Sequence, residues 1–153
     1  MNSVGLFFGT FDPIHKGHEA IADFFLKNFF NEVWFVVTPM NPDKIEKGTS
    51  EENIRLEMIK GFCELNTQFK CCDIEFSLPK PNYTADTLDK IKKEYKAFEF
   101  SLIMGEDNLF TLHNWKNYLN ILNHKIYVYP RLLKHAKKAE LINHPSVIIS
   151  DAP

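Results

Sequence analysis

The chain reads as an α/β protein, a Rossmann-like doubly wound parallel sheet, on three observations. Short apolar runs alternate with helical patterns from one end of the sequence to the other. The first runs are β-branched or aromatic and stop abruptly, Val4–Phe8 at Gly9 and Val33–Thr38 at Pro39. At 153 residues, 44% hydrophobic and 25% charged, the chain has the size and balance of one packed domain. Strict alternation of strand and helix calls for parallel strands joined by right-handed crossovers, with both faces of the sheet covered.

Each element follows from its local pattern. Between the first two strands, Ile21, Phe24 and Phe25 oppose Glu19, Asp23 and Lys27 at helical spacing, which predicts an amphipathic helix over residues 17–30. A polar loop over residues 41–50 precedes a second helix, from Glu51 to about Leu65. Further strands are expected at Cys71–Phe76, Phe100–Met104, Lys125–Tyr129 and Val147–Ser150. The helical patterns between them run over Thr84–Ala97, Leu109–Leu122 and Leu132–Ile142. Nothing repeats, and no linker divides the chain. In such a sheet, ligands bind beyond the carboxyl ends of the strands at the switch point, which for this order lies beside the first strand.

Composition narrows the function. Lys and Arg total 18 against 20 for Asp and Glu, a net charge of -2, so the chain lacks the basic surplus that drives non-specific nucleic-acid binding. Three cysteines, Cys63, Cys71 and Cys72, form neither a C-x-x-C pair nor a zinc pattern and read as reduced thiols. The N-terminus has no basic, then apolar, leader, and no run approaches membrane-spanning length, so a cytoplasmic protein without membrane partners is expected. Fourteen Phe among 21 aromatic residues are read as core material.

The chemistry is concentrated in Gly9-Thr10-Phe11-Asp12-Pro13-Ile14-His15-Lys16-Gly17-His18, which leaves the first strand and enters the first helix. Free backbone N–H groups and the positive dipole end at a helix start favour an anion, and Gly9 and Gly17 let a phosphate approach the backbone. His15 and His18, three apart, project to one side and can offer imidazole N–H groups to the same phosphate. That suits phosphoryl or nucleotidyl transfer, in which the protein mainly positions and neutralises developing charge. Two blander readings were weighed: His15 as a helix cap with His18 solvated, and a zinc site from Asp12, His15 and His18, which lacks a further ligand. Neither G-x-G-x-x-G nor G-x-x-x-x-G-K-[ST] is present, which speaks against a dinucleotide-dependent dehydrogenase and a P-loop NTPase.

GTFDPIHKGH resembles the G-[ST]-F-[DN]-P-x-H-x-G-H start of the H-x-G-H nucleotidyltransferases, and specifically of bacterial nicotinate-nucleotide adenylyltransferases. Asn41-Pro42-Asp43-Lys44 is similar to that family's P-x-K loop, Arg55 to its helical Arg, and Tyr83-Thr84-Ala85-Asp86-Thr87 to its Y-T-x-D-T segment. Gly105-Glu106-Asp107-Asn108 with Trp115 is similar to its G-x-D...W segment, and Arg131 to an Arg after the following strand. The likeness covers nearly the whole chain.

The resemblance implies a nucleotidyltransferase-type fold and transfer of AMP from ATP to nicotinate mononucleotide, with nicotinic acid adenine dinucleotide and pyrophosphate as products. It implies that His15 and His18 are catalytic. It further implies that Gly9, Thr10, Phe11, Gly17, Lys44, Gly105, Asp107 and Arg131 join them in holding ATP. Tyr83, Thr84, Trp115, Lys44 and Arg55 would face the mononucleotide. Mg²⁺ would ride on the triphosphate, since no carboxylate cage is evident. Several of these residues keep a second reading: Arg55 as a surface partner of Glu51, Thr84 as an N-cap, Asp107 as a cap of the next helix, Trp115 as core. His113, His124, His135 and His144 are read as packing or surface residues, His113 alone having a neighbour in the motif, Trp115. Substrates of a related kind, such as nicotinamide mononucleotide, and a non-catalytic nucleotide-binding domain are the alternatives. The family carries an S-[ST]-T-x-[IV]-R segment after its last strand, and the sequence ends at Asp151-Ala152-Pro153 ahead of any such segment. Residues 1–153 are therefore expected to be a single nucleotidyltransferase domain that lacks a C-terminal helical segment carrying an Arg.

Overall fold

The computed structural model describes residues 2–11, 14–39, 48–131 and 139–153. Six strands form one sheet, all parallel: β1 (Asn2–Gly9), β2 (Glu32–Val37), β3 (Phe69–Cys72), β4 (Phe98–Gly105), β5 (Ile126–Tyr129) and β6 (Val147–Ile149). Their order is β3-β2-β1-β4-β5-β6, so the direction of winding reverses between β1 and β4. This is the doubly wound arrangement that the alternation of elements predicts, with its crevice at the carboxyl end of β1.

The central strands are apolar on both faces because both faces are covered. Leu6, Trp34, Val36, Leu102 and Met104 point into one core layer with Leu88 and Ile91 of α3 (Thr84–Glu94). Phe7, Phe35, Val37 and Ile103 point into the other, with Phe25 of α1 (Lys16–Asn28) and Ile59 of α2 (Gly48–Glu64). The phenylalanines are largely core: Phe7, Phe11, Phe25, Phe30, Phe35, Phe69 and Phe100 are all buried.

Three expectations need correction. The strand expected at Cys71–Phe76 starts earlier and ends at Cys72, and Ile74–Ser77 is a short 3₁₀ helix. The helix expected at Leu109–Leu122 is broken into α4 (Glu106–Thr111), a 3₁₀ turn at Leu112–Asn114 and α5 (Tyr118–Ile121). Asn117 causes the second break, since its φ of 54° belongs to the left-handed region that ends a helix. The helix expected over Thr84–Ala97 stops at Glu94. Lys44 and most of the polar loop lie outside the described residues, as does most of the helix expected at Leu132–Ile142, of which Glu140–Asn143 form a turn. No helix among the described residues is long and apolar enough to cross a membrane.

Candidate active site

β1 delivers Gly9, Thr10 and Phe11 to the carboxyl edge of the sheet, and α1 begins at Lys16. The turn between them is held by two imidazoles. His15 is the N-cap of α1, and its Nδ1 accepts a hydrogen bond from the Gly17 amide at 3.1 Å. His18, three residues on, reaches back so that its Nδ1 accepts from the His15 amide at 3.2 Å. This is a capping box, with two histidines where Ser or Thr and Glu ordinarily stand. Gly17 is required by it: a Cβ there would lie 2.9 Å from Cε1 of the His15 ring.

The capping bonds decide where the protons are. A neutral imidazole whose Nδ1 accepts a hydrogen bond carries its proton on Nε2, so both rings keep an Nε2–H donor for a ligand. The rings stack with centroids 3.8 Å apart at 25°. Burial, then the charge of His15 and then that of Arg131, push the His18 pKa down to about 4. At neutral pH His18 is therefore an uncharged donor, and no repulsion between two imidazolium rings has to be met.

These rings line a cavity of about 260 Å³ together with Gly9, Thr10, Phe11 and Tyr129. Phe11 is buried at 3% exposure with a φ of 48°, its ring edge-on to His18 at 5.1 Å and to Phe35 at 5.3 Å. A bulky residue at positive φ is costly, and here aromatic packing on several sides holds it. Gly9 admits this ring, since a Cβ there would lie 3.0 Å from it. From the neighbouring strand ends come Gly105 of β4, exposed Asp107 in the first turn of α4, and exposed Arg131 after β5. A Cβ on Gly105 would press on Asp107, Arg131 and Tyr129 together, so the four residues share one corner. Tyr129, whose hydroxyl is pushed up by burial and which hydrogen-bonds Arg131, was not anticipated. Its position as the last residue of β5 is the signal that the strand-end rule could have used.

Other residues singled out from the sequence lie at the start of α3 and in the turn packed beside it. Tyr83 is the N-cap of α3 and makes no side-chain cap bond, so Thr84 is the first helical residue and not the cap expected of it. Lys116 Nζ sits 4.5 Å above the Tyr83 ring and 3.5 Å from Asp86, tying the start of α3 to the turn that carries Trp115. Trp115 is half-buried against the core, and its Nε1 donates to Thr111 Oγ1 at 3.1 Å. Asp107 does not cap α4, whose N-cap is Gly105. His113 is not part of the site by its contacts; it faces Glu140 at 3.7 Å. Arg55 is not a surface residue: it is 3% exposed and donates to the carbonyl oxygens of Thr10 and Thr38.

The profile of the cytidylyltransferase-like family matches residues 6–148. A protein of Flavobacterium johnsoniae named probable nicotinate-nucleotide adenylyltransferase is 48% identical over 152 residues, covering 98% of this chain and 79% of its own length. One of the same name from Bacteroides fragilis is 39% identical over 151 residues, covering 97% of this chain and 74% of its own. The chain belongs to this family of nicotinate-nucleotide adenylyltransferases. The fold agrees: Plasmodium falciparum nicotinic acid mononucleotide adenylyltransferase complexed with APC superposes with a TM-score of 0.76 at 18% identity, over 98% of this chain and 74% of the other. The same enzyme complexed with NaAD gives the same score. Family membership makes the chain a nucleotidyltransferase with a Rossmann-like fold.

Proposed function

We propose that the chain transfers the adenylyl group of ATP to nicotinate mononucleotide, and that the two half-sites divide the substrates between them. A 5′-phosphate oxygen of the mononucleotide attacks the α-phosphorus of ATP. The bond from that phosphorus to the oxygen bridging it to the β-phosphate breaks, and its electron pair leaves with pyrophosphate. The observation that carries the reading is the orientation of His15 and His18, whose Nδ1 atoms are occupied by backbone amides so that both Nε2–H groups remain for phosphate oxygens. Fixed donors of this kind stabilise charge as it develops without having to reorganise.

In this reading Gly9, Thr10, Phe11, Gly17, Gly105, Asp107 and Arg131 frame ATP, and Arg131 supplies a planar fork suited to phosphate. Tyr83, Thr84 and the face of Trp115 receive the mononucleotide. Lys44 belongs to the proposal as a ligand of both phosphates. Among the described residues no group of three or more His, Cys, Asp or Glu converges as metal ligands. Mg²⁺ would come with ATP as part of the substrate and would supply charge neutralisation to the leaving pyrophosphate. We place the enzyme in the cytoplasm, in keeping with its three unpaired thiols, and as a single domain over residues 1–153. Pyrophosphate release with ATP and each of nicotinate mononucleotide, nicotinamide mononucleotide and phosphopantetheine is the test. Turnover greatest with the first supports the reading, and greater turnover with either of the others overturns it.

A further inference from the structure

Beneath the crevice lie two oppositely charged residues that the proposed reaction does not use. Glu75, on the 3₁₀ turn after β3, is 2% exposed, and Arg55 of α2 is 3% exposed. Glu75 Oε2 accepts from Thr87 Oγ1 of α3 at 2.6 Å, and the Thr38 side chain faces the same carboxyl, where it favours the ionised form. Thr38, just past β2, also donates its amide to the Gly9 carbonyl at 2.8 Å. Its own carbonyl accepts from Arg55 Nη1 at 2.9 Å, and the same nitrogen donates to the Thr10 carbonyl at 2.5 Å. Polar contacts thus run from Thr87, three residues after Thr84, through Glu75, Thr38 and Arg55 to Gly9 and Thr10 in the turn after β1.

Both charges are only partly met. Glu75 Oε1, Arg55 Nε and Arg55 Nη2 are buried with no hydrogen-bond partner. Burial holds the Glu75 carboxyl above the usual range, against the pull of the Thr87 and Thr38 side chains. Stability alone does not account for such an arrangement, because apolar residues of similar volume commonly serve a core as well or better. What the arrangement does provide is a fixed distance between two elements that approach the crevice from opposite faces of the sheet.

We propose that Glu75 and Arg55 are positioning residues, joined through Thr38 into a buried polar strut that sets the mononucleotide-binding start of α3 against the phosphate-binding turn at Gly9–Thr10. The assignment of the two halves to the two substrates rests on the proposed function; the strut itself rests on the bonds. Each end governs the element it touches most strongly, and a break at one end is felt more weakly at the other.

Kinetics and hydrogen exchange test it separately. Thr87→Val removes the hydroxyl but keeps the shape, and it raises the KM for nicotinate mononucleotide about tenfold while the KM for ATP stays within about twofold. Glu75→Gln alone, which keeps an oxygen for Thr87 to donate to, stays near wild type in both KM values. Arg55→Met lowers kcat about tenfold, and the Thr87→Val/Arg55→Met pair loses less than the product of the two single losses, because both cut one path. Wild-type kinetics for Thr87→Val, equal rises in both KM values, or losses that simply multiply would overturn the strut. Amide exchange reads it without turnover: Thr87→Val speeds exchange at Thr10 and Phe11, on the far side of the path, and unchanged exchange there would overturn it. A wild-type chain with no activity toward nicotinate mononucleotide, yet with that exchange coupling, would overturn the functional reading and leave the strut standing.

Discussion

His18 takes its character from two contacts: its Nδ1 is occupied by the His15 amide, and its ring face is stacked on His15. The remaining Nε2–H is a donor aimed by the fold. His18→Ala should therefore lower kcat about a hundredfold or more, the scale on which loss of one preorganised donor to a transition-state oxygen is felt. Near wild-type turnover by a folded His18→Ala/His15→Ala protein would end the catalytic reading. His15→Ala should also lower the melting temperature, because it removes the cap of α1, worth about 1 kcal/mol. The depressed pKa makes a second prediction with a definite sign. Unfolded, His18 binds its proton near pH 6.5, and folded only near about 4. Between those values the unfolded state holds more protons, so stability falls as pH drops from about 6.5 toward about 4, with no contribution from His18 above that window. An NMR titration should find the His18 ring changing near pH 4, and His18→Gln should flatten the dependence of melting temperature on pH across the same interval. A midpoint near 6.5 would remove the case for a neutral donor.

At the scale of elements, what was legible in the sequence was whatever rests on local pattern. β1, β2, α1 and β4 fall where their apolar periods put them, within a residue or two at most ends. α2 begins three residues before its expected start at Glu51, and its periodicity is weak for a visible reason: Leu56 and Ile59 face the core, whereas Ile54 and Met58 are exposed on the outer side. The 109–122 region misled because it is punctuated by Leu109, Leu112, Ile121 and Leu122, all buried, with no Gly or Pro between them, yet the backbone that delivers them turns twice. Asn117 marks the second of these breaks, and an Asn within a helical period carries too little signal to show it. The capping role of His15 was legible as one reading of the turn, whereas that of His18 was not, since a histidine at that position reaching back to the N-cap amide has no ordinary sequence signal. Arg55, Thr38 and Glu75 could not be brought together by any local rule, being far apart in sequence. The broken 109–122 region is also where Trp115 belongs. Its indole N–H is already spent on Thr111, so what remains for a ligand is the ring face. Trp115→Ala should raise the KM for the mononucleotide by about tenfold or more and leave that for ATP nearly unchanged, since stacking on a base contributes about 1–3 kcal/mol. Equal losses for both substrates with a lowered melting temperature would make Trp115 a core residue.

At the scale of the whole molecule, the sheet separates what holds the fold from what works on the substrate. The crevice lies at the carboxyl edge of β1, β4 and β5, and the layer of rings beneath it belongs to the core. Phe35 shows how close the two come. It is fully buried in the middle of β2, with its ring centroid 5.3 Å from Phe11, 5.7 Å from Phe7 and 5.6 Å from both Phe62 and Phe69. Phe35→Ala deletes a ring that neighbours on two strands, on α2 and in the phosphate turn all touch, so little of the void can collapse, and a loss of about 3–5 kcal/mol is expected in denaturant unfolding. Because Phe11 is held at positive φ by this packing, the same change should also loosen the turn that carries His15 and His18. Phe35→Leu keeps most of the volume and should lose far less stability. Its turnover then discriminates: kcat reduced more than the modest change in stability implies would show that the ring layer holds the phosphate turn in its working conformation. Turnover equal to wild type at temperatures well below unfolding would show that the turn is held by its own capping bonds and by Arg55 alone.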